Sequence, residues 1–320
     1  MGFRNVLING DFRINQRAFS STTNNGAYGF DRWRIDANGG TTTYSAQTFA
    51  SGNAISGQEP TNYARIVTTG QSNTNGTYSL FRQPVEDVRT FAGQMVTVSF
   101  WAKVSSGTPK VAVELEQNFG SGGSAGVTQY AGQVTLSTSW QRFTLTTTLP
   151  SISGKTIGTN SHLLFTFILS GGPDWNTRSG SIGIQSNTFD FWGVQLEQNY
   201  QETPFEQRPI GIELQLCQRY YWKWTSVTSG DIYHQVYQPA STTFYLSLPL
   251  PTTMRTSTSN ALTVSGTWNR INSAISPVSY FASKNWITIY SQVDPSISNA
   301  NSSGFYSSAG SSTLEVNAEL

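Results

Sequence analysis

The sequence predicts an all-β protein: an N-terminal antiparallel jelly-roll sandwich over residues 1–204, a corner and short linking helix over 205–222, and a smaller C-terminal β domain over 223–320. Three observations predict it. Apolar residues alternate with period 2 in one stretch after another, the pattern of half-buried strands. Clusters of Gly, Ser, Asn and Pro separate those stretches at short intervals. Aromatic residues make up 13% of the chain and charged residues 12%, against a usual charged share of roughly 25%. Polarity therefore comes from Ser, Thr, Asn and Gln, as in Thr- and aromatic-rich strands. The 320 residues are enough for two cores at roughly 100–200 residues per domain.

The elements follow in order. Val96, Val98, Phe100 and Ala102 fall on one side of a strand, and Thr97, Ser99, Trp101 and Lys103 on the other. Val111, Val113 and Leu115 alternate with Lys110, Ala112, Glu114 and Glu116; Phe143, Leu145, Thr147 and Leu149 continue the pattern. Leu163 to Leu169 is nearly all apolar and reads as a central strand. Phe189 and Phe191, with Val194 and Leu196 beyond Gly193, form another strand with a bulge at the glycine. Turn clusters lie at Gly39-Gly40, 51–53, 70–76, 120–126 and 170–173. After Pro209 the period changes: Ile212, Leu216 and Tyr220 are spaced by four, with Cys217 and Tyr221 beside them, which predicts a helix of two or three turns. Strands return around Tyr233 to Tyr237, Phe244 to Leu248, Leu262 to Val264 and Trp286 to Tyr290, with a Ser/Asn-rich break at 296–303. Heptads, collagen triplets and fixed-period repeats are missing, so no fibrous shaft is expected.

Composition excludes several classes of function. A net charge of +1, from 19 basic and 18 acidic residues, lacks the basic excess that a nucleic-acid binder needs to displace counterions. Cys217 stands alone, so no internal disulfide framework exists. No apolar run reaches the roughly 18 residues that span a bilayer, and no membrane insertion is expected. The opening residues lack a signal-peptide core, and Val6 stands where N-myristoylation wants Ser or Thr. Synthesis in a cytoplasm without Sec-type export is the expectation.

Reactive constellations are scarce. His162, His234 and Cys217 have no metal-ligand spacing. Gly122 to Gly126 spells G-x-S-x-G but sits in a Gly/Ser loop, without the preceding strand and following helix that a nucleophile elbow needs. Glu114 and Glu116 share one strand face, side by side rather than across a glycosidic bond, so the chain is not expected to be an enzyme. Trp101, Lys103, Glu114 and Glu116 all point away from the predicted core. Together they are the candidate sugar platform: the ring stacks on sugar C–H faces and the polar groups bond hydroxyls. Asp11 and Asp190 are candidate ligands of a structural calcium; no other cofactor is expected.

Three segments resemble a family of tailed-bacteriophage virion proteins. They are Asn5-Val6-Leu7-Ile8-Asn9-Gly10-Asp11-Phe12 with Asn15-Gln16-Arg17; Tyr28-Gly29-Phe30-Asp31-Arg32-Trp33; and Pro204-Phe205-Glu206-Gln207-Arg208-Pro209 with Glu213 to Tyr221. Leu248-Pro249 and Thr253-Met254-Arg255 are similar to a corner of the same proteins. The strands at Ser99 to Lys103 and Phe189 to Leu196, with Ser139 to Phe143 between, resemble carbohydrate-binding jelly rolls. In those modules an acid near the end of the last strand helps bind calcium; Asp190 matches it, whereas Arg13 stands where a second acid is usual. The resemblance implies a structural protein on the virion exterior, a capsid decoration (cement) protein or short fibre, with other virion proteins and its own copies, as a homotrimer, for partners. The alternative it leaves open is a tail-tip lectin for host surface glycans, and the third a polysaccharide depolymerase. Glu206, Arg208, Leu216, Tyr220 and Tyr221, with Glu197, are the residues expected at a domain or subunit interface.

Overall fold

The computed structural model describes residues 2–226, 232–233, 237–240, 243–256, 262–265, 268–270, 273–275, 279–292, 305–307 and 312–320. His234, Val236 and the break at 296–303 lie outside the described residues. The chain divides into two compact units, Met1–Glu213 with Leu320, and Leu214–Glu319.

The first unit is an antiparallel β-sandwich. Its strands are β1 (Ser21–Thr22), β2 (Arg34–Asn38), β3 (Thr41–Thr48), β4 (Asn62–Thr69), β5 (Tyr78–Val85), β6 (Met95–Val104), β7 (Lys110–Asn118), β8 (Val127–Thr135), β9 (Gln141–Thr148), β10 (His162–Gly171) and β11 (Thr188–Glu197). One sheet has the order β1-β3-β4-β11-β6-β9 and the other β2-β5-β10-β7-β8. Strands adjacent in sequence often lie in opposite sheets: β6 is in the first and β7 in the second, which is the jelly-roll habit.

The alternation predicted from sequence sets the inner faces. Val96, Val98, Phe100 and Ala102 are buried between the sheets, as are Val111, Val113 and Leu115. The apolar β10 is central, flanked by β5 and β7. Phenylalanines knit the layers: Phe167 stacks on Phe191 at 4.5 Å between ring centroids and meets Phe100 edge-on at 4.7 Å. Such pairs add about 0.5–1.5 kcal/mol each beyond their burial. Tyr44 is fully buried here, and its hydroxyl accepts the Phe30 N–H at 3.2 Å. Gly193 has φ of +63° where the β11–β6 register shifts, so the bulge falls where the sequence predicts it.

The outer face of the second sheet departs from expectation. A short 3-10 turn (Pro173–Trp175) and a one-turn helix, α1 (Asn176–Ser179), lie across it. Trp175 and Ile182 bury Leu80, Ala112 and Ile168 in a satellite core, with Tyr78 and Tyr130 at its margin. Ala112 and its strand neighbours therefore point away from the main core without meeting open solvent.

A helix, α2 (Ile210–Gln218), follows Pro209 as predicted. In the second unit, strands Tyr221–Thr225, Thr313–Asn317 and Leu262–Ser265 form one sheet, and Tyr237–Ala240, Thr243–Pro249, Trp286–Gln292 and Ser279–Ala282 another. Its core holds Leu248, Met254, Leu262, Ile287, Ile289, Leu314 and Val316. Met254 of the Thr253-Met254-Arg255 corner is fully buried, and Arg255 Nε donates to the Ala318 carbonyl at 2.7 Å.

Candidate functional site

The outer face of the first sheet carries the cleft with the richest side-chain chemistry. Cross-strand register sets the side chains beneath and beside it. Asp190 of β11 lies opposite Arg65 of β4 and Lys103 of β6, and Trp192 lies opposite Trp101. Period 2 sends all of these away from Phe191 and Ala102, which face the core. Arg65 Nε and Nη2 donate to the two Asp190 carboxylate oxygens at 2.7 and 2.9 Å, a fork that fits a carboxylate in two places at once. The Lys103 ammonium stands 3.7 Å from the same carboxylate. Asp190 is covered, with 3% of its side chain exposed, while Arg65 and Lys103 keep 32% and 30%. The bond to Asp190 raises the Arg65 pKa above its ordinary value. Burial, and then the Asp190 charge, raise that of the Tyr63 phenol, which accepts from Arg65 Nη2 at 3.2 Å.

Aromatic walls rise around these side chains. Phe49, just past β3, packs on Tyr63 at 4.8 Å and on Trp140 at 5.3 Å. Trp140, just before β9, meets Tyr63 almost at right angles, 85°, at 5.6 Å. Lys103 Nζ lies 5.4 Å from the Trp140 ring centroid, within cation–π range. Trp101 completes the wall because Gly193 has no side chain: a Cβ there would stand 3.1 Å from Trp101 Cδ1 on a left-handed backbone. Phe49, Tyr63, Trp101, Lys103 and Trp140, with Thr48, Asn53 and Ser56, line a cleft of about 430 Å³. That is within the roughly 300–1,000 Å³ of small-molecule sites. Among the described residues no carboxylate lines it. Rings that accept an apolar face, with amide, hydroxyl and ammonium donors beside them, suit a ligand that is apolar on its faces and polar at its edges.

The structure brings Trp101 and Lys103 together and places Glu114 and Glu116 elsewhere. Their strand, β7, belongs to the other sheet, so the four residues do not form one platform. Glu114 is fully buried and receives both Arg178 Nε and Nη2 at 2.5 Å; Glu116 lies 3.3 Å from the same Nη2. Arg178 in turn stacks on Trp175 at 4.3 Å. One guanidinium thus holds both carboxylates under the segment that crosses the second sheet.

The expected calcium does not fit these residues. Both Asp190 oxygens are filled by Arg65, and Asp11 is held by Arg13, whose Nε donates to it. Burial raises the Asp11 pKa, which opposes its use as an anionic ligand. Among the described residues no group of three or more His, Cys, Asp or Glu gathers to hold a metal. Basic side chains have taken the places where a cation was expected. Of the histidines, His162 lies with Nδ1 2.9 Å from the Asn160 carbonyl.

Sequence reasoning missed how the motif segments meet. Glu206 accepts the backbone N–H groups of Arg4 and Asn5 at 3.2 and 3.0 Å. Arg208, 4% exposed, donates to the carbonyls of Asn5 and Leu7 and reaches Glu213 at 3.1 Å. Glu213 accepts the Asn9 N–H, and the Asn9 amide bonds the carbonyls of Ile14 and Asp31. Trp33 Nε1 donates to the Asn9 carbonyl at 3.0 Å. Asn5-to-Phe12, Phe30-to-Trp33 and Pro204-to-Pro209 are therefore one clasp inside the first unit. The charges of Glu206 and Arg208, expected at a domain or subunit boundary, are spent there. Glu197 likewise bonds Gln195 and Thr203 of its own unit. Leu216 is half-buried; Tyr220 and Tyr221 are buried, and Tyr221 opens a strand of the second unit.

Residues 5–164, half of the chain, match the carbohydrate binding domain family CBM_4_9. The chain belongs to that family. Among solved structures, a CBM4 domain is 20% identical, covering 60% of this chain and 98% of its own, with a TM-score of 0.35. The CBM22-2 xylan-binding domain of Paenibacillus barcinonensis Xyn10C is 18% identical, covering 62% and 99%, with a TM-score of 0.35. The enzymatically active domain of tailspike protein 4 from bacteriophage CBA120 is 13% identical, covering 61% of this chain and 21% of its own, again at 0.35. No curated protein matches the chain significantly.

Proposed function

We propose that this CBM_4_9 protein is a non-catalytic glycan-binding protein on the exterior of a bacteriophage particle, with the aromatic cleft of the first sheet as its sugar site. The observation that carries the sugar reading is the wall of Phe49, Tyr63, Trp101 and Trp140 around Lys103. Sugar rings stack on such walls through their C–H faces, and their hydroxyls find the rim donors. The described residues that line the cleft include no carboxylate, which supports binding over hydrolysis, since hydrolysis needs an acid and a second carboxylate facing the bond. The virion reading rests on the three motif segments and on their union in one clasp. It carries with it synthesis in the host cytoplasm, assembly with other virion proteins and a homotrimeric state. A cleft of this kind favours an adhesin that meets the host surface. Capsid decoration, or a short fibre, is the second reading; it is favoured by how much of the motif sequence serves architecture.

The test is direct. Binding to a bacterial surface-glycan array should be lost in Trp101→Ala and Trp140→Ala while the fold persists. Wild-type protein that binds no glycan removes the sugar reading. Particles made without the gene should adsorb poorly to the host if the protein is an adhesin. Loss of capsid density with normal adsorption selects decoration, and an unchanged particle refutes the virion reading.

A further inference from the structure

Resting on the glycan-binding reading of this cleft, we propose that the cleft selects an anionic sugar, a pyranose bearing a carboxylate, and that Lys103 reads its charge. The argument is one of electrostatic accounting around Lys103. Asp190 is the carboxylate that Arg65 and Lys103 share, and it lies beneath the surface with its two oxygens filled by the Arg65 fork at 2.7 and 2.9 Å. Lys103 Nζ, at 3.7 Å, is beyond hydrogen-bond distance of that carboxylate. Two cations face one buried anion, so a positive charge is left over, and it is exposed on the cleft side. Lys103 lines the cleft, and every other lining residue among the described ones is neutral.

The position of the ammonium matters as much as its charge. It is held near the Trp140 ring, 5.4 Å from the centroid, so a pyranose stacked on the aromatic wall brings a ring substituent within reach of the ammonium. A neutral sugar leaves this charge as it is. A carboxylate neutralises it and gains a charge-assisted hydrogen bond from one of three ammonium donors. A partly exposed pair of this sort is expected to give about fivefold in affinity. Uronic acids and related acidic sugars have the required form.

The experiment follows the indole N–H signals of Trp101 and Trp140 in the full chain, assigned through Trp101→Phe and Trp140→Phe. The probes are methyl β-D-glucuronide and methyl β-D-glucoside. Both should move the same two signals, the glucuronide with about fivefold lower Kd at low salt. The gap should close near about 1 M salt, where the screening length falls to about 3 Å. Lys103→Met should bring the glucuronide to the affinity of the glucoside, and Lys103→Arg should keep the preference. Equal affinities in the wild type, or a preference that survives Lys103→Met, overturn the charge reading and leave the sugar site standing. If neither probe moves the two signals, the sugar site falls, and this inference with it.

Discussion

Removing Arg178 tests whether Glu114 is structure or site. Glu114 has none of its side chain exposed, and its two oxygens are filled by the Arg178 guanidinium. In Arg178→Met the stem still packs on Trp175, but the carboxylate is left buried without its partner. Breaking a buried pair from one side costs about 3–5 kcal/mol. Because 28% of the Arg178 side chain is exposed, solvent can reach in, and the low end, about 3 kcal/mol, applies. For a unit of about 200 residues, at about 2–4 °C per kcal/mol, the Tm should fall by about 6–12 °C. The assay is thermal unfolding followed by near-ultraviolet circular dichroism. The double variant Arg178→Met/Glu114→Gln removes the orphaned charge and should recover more than half of the loss. A fall of under about 3 °C in the single variant, or no recovery in the double, refutes the reasoning. Loss of glycan binding in Glu114→Gln would move the site to the wrong sheet for the cleft described above.

Three further outcomes are expected. Gly10→Ala places a Cβ 2.1 Å from the Val194 carbonyl oxygen, so urea unfolding should show a loss of about 3 kcal/mol, the upper end for overpacking. Trp140→Ala strips one wall from the cleft, and a fluorescence titration with a bound glycan should show affinity at least about tenfold weaker, worth about 1.4 kcal/mol. Tyr44, fully buried, has a phenol pKa raised well above the ordinary 10.0, chiefly by burial. The folded state keeps this proton when the unfolded chain releases it. The stability it contributes is therefore complete below pH 10.0 and is lost as pH rises through the folded pKa. Above pH 10.0 wild-type stability should fall more steeply than that of Tyr44→Phe, by about 1.4 kcal/mol per pH unit, as measured by melts at stepped alkaline pH.

Period 2 made the strands legible, and with them the outward direction of Trp101 and Lys103, because alternation alone fixes which face a residue takes. The rest of the cleft was not legible. Phe49 and Trp140 flank strands rather than lie in them, and Arg65 reaches Asp190 across 125 positions of sequence, so only strand order brings them together. Alternation also says nothing about what covers an outer face or which sheet a strand joins, so it groups Glu114 with Trp101 although their strands lie in different sheets. A signal was present: Ala112 and Ile168 are apolar at outward positions, and they are the residues buried under Trp175. The arginines that pair with Asp11 and Asp190 leave one trace in the sequence, Arg13 in place of a second acid. The motif segments were visible as strings, but their joint role depends on contacts between the two ends of the first unit.

That clasp has a consequence for how the protein is made. Its bonds join Arg4 and Asn5 to Glu206 across 202 and 201 positions, and Asn9 to Glu213 across 204. Contacts of this sequence span must wait for the ribosome to deliver their C-terminal partners, and they slow closure of the chain. Until Glu213 emerges, the buried Asn9 N–H lacks its acceptor. A fragment cut at the family boundary, residue 164, would also lack β11, the strand that lies between β4 and β6. The shortest piece worth expressing runs to Glu213, and nascent chains should stay protease-sensitive at their N-terminus until that residue has left the exit tunnel.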